Sequence, residues 1–172
     1  MNVRWPPANH AERYLGYPLF REHGKQVAAL CWRAAPRGGL EVLLITSLNS
    51  KRWILPKGWP MNGMSLAESA AREAFEEAGV AGRIASKPAG SYHYLKEKKD
   101  GGGVPCSVDV FALEVTQQHG DWPEKGARDI TWLPLDEAAV RVCEPGLRQL
   151  LRDFRQAHKA PLGARVAANR AG

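Results

Sequence analysis

Between Ser65 and Gly79 the chain carries a fully marked helix, and that helix bears more acid on one face than it can tolerate alone. The Ser65 hydroxyl is suited to accept a backbone N–H at a helix start, and Glu68 three positions on completes a capping box. Good helix formers follow (Ala67, Ala70, Ala71, Arg72, Glu73, Ala74), and Gly79 suits the left-handed position that ends a helix. At about 100° per residue, Glu73, Glu76 and Glu77 stand at roughly 0°, 300° and 40°, so their carboxylates share one face. Like charges at this spacing repel, and a bound hard cation, magnesium first, is the natural compensation. A bare Glu-x-x-Glu-Glu cluster can equally be a solvated acidic face, so the flanking sequence has to decide.

Those flanks alternate between β-prone runs and turns. Residues 26–32 and 40–46 are apolar runs joined by Ala35-Pro36-Arg37-Gly38-Gly39, which predicts an antiparallel hairpin. Residues 52–55 form a short strand leading into Pro56-Lys57-Gly58. Residues 84–95 and 104–115 read as strands around a charged loop at 96–103, and 129–133 as a further short strand. Leu147, Leu150, Leu151 and Phe154 follow the spacing of an amphipathic helix that covers the sheet. Residues 1–24 read as an N-terminal arm that packs Trp5, Tyr14 and Tyr17 onto the body, 25–158 as the domain proper, and 159–172 as a basic, flexible tail.

A length of 172 residues suits one domain and one active site. The net charge of +6 favours anionic partners, although Lys159, Arg165 and Arg170 concentrate part of it in the tail. Cys31, Cys106 and Cys143 are scattered and odd in number, which indicates neither a disulfide framework nor a zinc site and makes the cytoplasm the expected location. The first residues resemble neither a signal peptide nor a membrane span.

In this setting the segment 58–80 closely resembles the Nudix box, which runs Gly-x5-Glu-x7-Arg-Glu-apolar-x-Glu-Glu-x-Gly-apolar. Gly58, Arg72, Glu73, Ala74, Glu76, Glu77, Gly79 and Val80 fall in register, and Met64 stands where the pattern has its first glutamate. The resemblance implies an α/β fold, a Nudix α/β/α sandwich with a central mixed sheet. It implies a Mg2+-dependent (or Mn2+-dependent) pyrophosphohydrolase in which Glu73, Glu76, Glu77 and the Gly58 carbonyl hold metal. Glu76, Glu73 and Arg72 would be the catalytic set, with Glu76 a ligand or the group that deprotonates water. With Met64 in place of the glutamate, Glu68 could partner Arg72 at i, i+4, or simply serve the helix cap.

The likeness extends over roughly residues 25–155. Glu41-Val42-Leu43-Leu44-Ile45, Arg52-Trp53-Ile54-Leu55-Pro56, Asp121-Trp122-Pro123-Glu124, Arg128 and Trp132 are similar to the diphosphoinositol polyphosphate phosphohydrolase branch. The run Trp53-Ile54-Leu55-Pro56-Lys57-Gly58 is equally similar to diadenosine tetraphosphate hydrolases. Either substrate is a small-molecule polyanion, for which Lys25, Arg52, Lys57 and Arg128 are the candidate binding cations, with Lys51 and the Lys96–Lys99 cluster behind them. Asp121 and Glu124 are candidate carboxylate ligands outside the helix. Two alternatives stay open: another nucleoside diphosphate derivative as substrate, or a phosphometabolite sensor that does not cleave. Retention of all three helix carboxylates argues for catalysis. No basic-aromatic pattern of an RNA module is present, so nucleic acid is disfavoured, and the sequence leaves the oligomeric state open.

Overall fold

The structure is a computed structural model and describes residues 24–97 and 101–158. The predicted arm, apart from Gly24, the predicted tail and Lys98–Asp100 of the charged loop lie outside the described residues. The chain order is β1 (Gly24–Ala34), β2 (Leu40–Thr46), β3 (Trp53–Ile54), β4 (Lys57–Gly58), α1 (Leu66–Ala78), β5 (Val80–Ile84), β6 (Gly90–Glu97), β7 (Gly103–Gln118), β8 (Ile130–Pro134), α2 (Leu135–Arg141) and α3 (Pro145–His158).

All eight strands join one mixed sheet whose spine is β3-β2-β1-β7-β5; β4 adds to β1, β6 to β7 and β8 to β2. The pairing of β1 with β7 is parallel, Gly24 opposite Cys106 through Trp32 opposite Glu114, and every other pairing is antiparallel. The predicted hairpin is present, with Trp32 opposite Val42. β1 is buried on both faces, which is why its sequence is a continuous apolar run rather than an alternation. Val27, Ala29 and Cys31 face α1, while Ala28 and Leu30 face α2 and α3. Leu147, Leu150, Leu151 and Phe154 of α3 close the second face, as their spacing requires. Burying each such leucine contributes about 1.5–3 kcal/mol.

α1 packs through an alanine seam, Ala67, Ala70, Ala74 and Ala78. Methyl-sized contacts bring the helix close to the sheet, and this draws its acidic side against β4. Two expectations need correction. The run 84–95 is two segments: Ala85 and Ala89 turn the chain with N–H bonds to Ala112 and Val110 carbonyls, so β6 starts only at Gly90. Ahead of the turn, β5 pairs with the far half of β7, a strand the sequence reading did not separate. Among the described residues, no helix is long and apolar enough to cross a membrane.

Candidate active site

Both ends of α1 are closed by hydrogen bonds that also set the site. At the start, Ser65 Oγ accepts the Glu68 N–H at 3.2 Å and Glu68 Oε2 accepts the Ser65 N–H at 2.7 Å, so the capping box is complete. Glu68 is thereby spent on the cap, and Arg72 turns instead to Glu76, Nε to Oε1 at 2.6 Å. At the finish, Gly79 adopts φ 67° and its N–H reaches the Ala74 and Phe75 carbonyls. Gln118 Nε2 donates to the Ala78 and Gly79 carbonyls at 3.2 and 3.1 Å, and the Glu124 N–H donates to the Glu76 carbonyl at 3.0 Å. The loop after β7 thus satisfies carbonyls that a helix end leaves unpaired, and in doing so delivers Glu124 to the acidic face.

Four carboxylates meet there. Glu77 is buried, and both of its oxygens are engaged: Oε2 accepts the Lys57 N–H at 2.9 Å, and Oε1 pairs with Arg128 Nη2. Arg128 also donates Nε to Glu124 Oε2 at 2.7 Å and Nη1 to the Thr46 carbonyl at 3.1 Å. Glu73 has no hydrogen-bond partner among the described residues and lies directly against Gly58, where an added Cβ would fall 2.1 Å from its Oε1. Burial, reinforced by Glu77, Glu76 and Glu124, raises the Glu73 pKa to about 7, with Arg128 opposing. Burial also raises Glu77, against the pull of Arg128 and the Lys57 N–H.

The residues fit a divalent cation. Four acids in mutual repulsion are hard oxygen donors short of positive charge, and the bare Cα of Gly58 lets a carboxylate reach the β4 backbone. Glu73, Glu76, Glu77 and Glu124, with the Gly58 carbonyl, are the groups that could hold it. As the side chains stand, no three acidic, histidine or cysteine groups among the described residues are grouped as metal ligands, and Glu76, Glu77 and Glu124 are each paired with an arginine.

The predicted cations fall into two groups. Lys57 projects to the far side of β4, where its Nζ meets Tyr94 Oη at 2.7 Å and Gln26 Oε1 at 3.2 Å. Burial lowers its pKa to about 8, with Glu77 opposing and Lys96 assisting. Lys96 stacks over the Trp59 ring at 4.7 Å and its charge acts on Lys57, while the Arg52 charge acts on Tyr94. Lys25, by contrast, is paired with Asp109 at 2.9 Å. Arg128 is buried and committed to acids, so it stands in the carboxylate cluster rather than on an open binding surface. In the sequence Lys96 stands behind the other candidate cations, and nothing there singles out Gln26 or Tyr94 as a binding residue. The signal for Tyr94 was the Tyr92-His93-Tyr94 alternation, which puts both tyrosines on one sheet face and leaves His93 exposed. Trp122 is a loop anchor that packs over Gly79, and Asp121 is exposed.

An eight-stranded mixed sheet held between helices, with a carboxylate-bearing helix over a glycine strand, defines an α/β/α domain. The chain belongs to the Nudix family, whose domain model matches residues 24–154. Nudix hydrolase 12, mitochondrial, of Arabidopsis thaliana is 35% identical over 120 residues, 67% of this chain and 58% of that protein. The chain thus spans about three fifths of that relative's length. Bovine diphosphoinositol polyphosphate phosphohydrolase 3-beta is 31% identical over 117 residues, 66% of each chain. Among solved structures, the C. elegans Ap4A hydrolase superposes with a TM-score of 0.56 at 23% identity, covering 80% of this chain and 98% of that one. At that identity the likeness speaks for the fold.

Proposed function

We propose that this protein is a magnesium-dependent pyrophosphohydrolase that cleaves a phosphoanhydride bond in a small polyanion, a diphosphoinositol polyphosphate or a diadenosine polyphosphate. The observation that carries the reading is the pairing, across the two-residue strand β4, of an acid cluster with a cation cluster. Glu73, Glu76, Glu77 and Glu124 lie on the side of α1, and on the other side Lys57 meets Tyr94, with the Lys96 charge acting on Lys57 and the Arg52 charge on Tyr94. Acids alone would repel phosphates, and cations alone would bind them without cleavage. When bound, the metal would make water a better nucleophile and neutralise charge on the diphosphate oxygens.

The protein's own groups divide the remaining work. Lys57, whose ammonium contacts two neutral oxygens and no carboxylate, keeps its charge for phosphate, and Lys96 and Arg52 extend that field. Glu73, with its carboxylate free of hydrogen bonds among the described residues, is best able to take a proton from the attacking water or to serve as a metal ligand. Arg72 fixes the orientation of Glu76, and the Lys57 N–H fixes Glu77. The relative named for diphosphoinositol polyphosphates supports a polyphosphate substrate.

The test is phosphate or nucleotide release by the purified protein with Mg2+ across diphosphoinositol polyphosphates, diadenosine tetra- to hexaphosphates, ADP-ribose and nucleoside triphosphates. The expected ranking puts one of the first two classes on top. Preference for ADP-ribose or a nucleoside triphosphate would move the assignment to another nucleoside diphosphate derivative. Absence of any turnover by the folded protein would favour a sensing role.

A further inference from the structure

Arg128 and Glu77 form an ion pair whose side chains are only 8% and 6% exposed. Burying such a pair yields little net stability, because desolvation offsets the attraction. What sets this one apart is how the guanidinium is used. Its three nitrogens reach three segments: Glu77 on α1, Glu124 on the loop after β7, and the carbonyl of Thr46 at the end of β2. Asp129 locks the same corner, its N–H donating to Thr46 Oγ1 and its carbonyl accepting the Thr46 N–H, both at 3.0 Å. One of the three guanidinium contacts, that to the Thr46 carbonyl, therefore does not depend on the acids.

Within the acid cluster, Arg128 is the positive charge that opposes the repulsion Glu73 receives from Glu77, Glu76 and Glu124. It bridges two carboxylates from separate segments, which is the work a divalent cation would do there. Glu77 and Glu124 both pair with Arg128.

We propose that Arg128 is a built-in stand-in for the metal, a positioning residue that neutralises and spaces Glu77 and Glu124 in the metal-free protein and competes with the incoming cation for them. Metal binding is then an exchange of positive charges at a site already folded, and Arg128 is not a contact for substrate phosphate. The proposal rests on the metal-dependent reading above, and its test separates the two.

Magnesium binding is measured by calorimetry without substrate, with Mn2+ as a spectroscopic probe, on wild type, Arg128→Met and Arg128→Lys. Thermal unfolding is followed in chelator and in Mg2+. Removing the competitor should lower the melting temperature in chelator, tighten Mg2+ binding about tenfold in Arg128→Met, and enlarge the stabilisation that Mg2+ brings. Arg128→Lys keeps the charge but cannot bridge, so its Mg2+ affinity should fall between the two; it carries the test if Arg128→Met does not fold in chelator. In both variants kcat should fall with substrate KM little changed. Unchanged or weaker Mg2+ affinity in the variants would overturn the stand-in role, as would a raised KM with normal Mg2+ affinity, which would return Arg128 to the substrate. A wild type that binds neither Mg2+ nor Mn2+ would instead overturn the metal reading itself.

Discussion

Gly58→Ala should separate activity from stability. Gly58 is not among the glycines with positive φ, so its backbone accepts alanine without strain. The new methyl, however, would stand 2.1, 2.3 and 2.6 Å from Oε1, Cδ and Oε2 of Glu73. Since an ordinary carbon–oxygen contact is about 3.3 Å, the carboxylate must retreat by roughly 1 Å. Glu73 can do so at modest cost, because the clash is with the far end of a flexible side chain; an off-rotamer shift costs about 0.5–1.5 kcal/mol. The lower entropy of the unfolded alanine chain returns about 0.4–1 kcal/mol. The two nearly cancel, so the melting temperature should stay within about 3 °C of wild type. Catalysis has no such compensation. A displacement of this size costs about 100-fold in turnover, equivalent to about 2.7 kcal/mol of barrier. Steady-state hydrolysis and thermal unfolding measured on one preparation provide the assay. Turnover within about threefold of wild type would refute the claim that the approach of Glu73 to Gly58 organises the site.

Three further outcomes follow from other parts of the structure. Gly79→Ala combines a φ of 67° with a methyl only 2.4 Å from the Trp122 ring, and should destabilise by about 2–4 kcal/mol in urea unfolding; a loss below about 1 kcal/mol would show that the Trp122 loop yields easily. The raised pKa of Glu73 means that the folded state binds more protons than the unfolded state between about 4.5 and about 7, so in chelator stability should fall as pH rises through that window. Saturating Mg2+, which favours the ionised form, should flatten or reverse that slope, and a slope that is the same with and without Mg2+ would contradict it. Met64→Glu should leave turnover within about tenfold, about 1.4 kcal/mol, because Met64 is 44% exposed and Arg72 already has Glu76 as partner; a larger gain would show that the native site is impaired by Met64.

The parts of this molecule set by local chemistry could be read from its residues. The Ser65–Glu68 cap, the Gly79 stop and the shared face of Glu73, Glu76 and Glu77 depend only on helix geometry, and the β1–β2 hairpin only on two apolar runs and a turn. What escaped was set at a distance. β5 buries only Val80 fully and holds its register through β7, so its own residues carry little pattern. α2 has seven residues and no side-chain cap, too little for a helical period to show. Glu124 is legible as a candidate ligand beside Asp121, but the backbone bond to Glu76 that brings it to the site is one that no spacing rule encodes. Arg128, expected to face substrate, is buried because Glu77 and Glu124 need a counter-charge more than the surface does. The same burial makes Glu77→Gln an ambiguous test of catalysis. That change preserves shape, but it leaves Arg128 with half its compensation and so mixes a stability loss into any activity loss.

Glu73→Gln avoids that difficulty, since Glu73 has no hydrogen bond among the described residues to lose and Gln removes only the charge. The most direct test of a metal-dependent anhydride cleavage run by the α1 carboxylates is Mg2+-dependent release of phosphate or nucleotide by wild type and Glu73→Gln on the best substrate, with melting temperatures alongside. The expected result is turnover that vanishes in chelator, falls at least about 100-fold in the variant, and leaves the variant as stable as wild type or more so. Undiminished Mg2+-dependent turnover in a folded Glu73→Gln protein would contradict it.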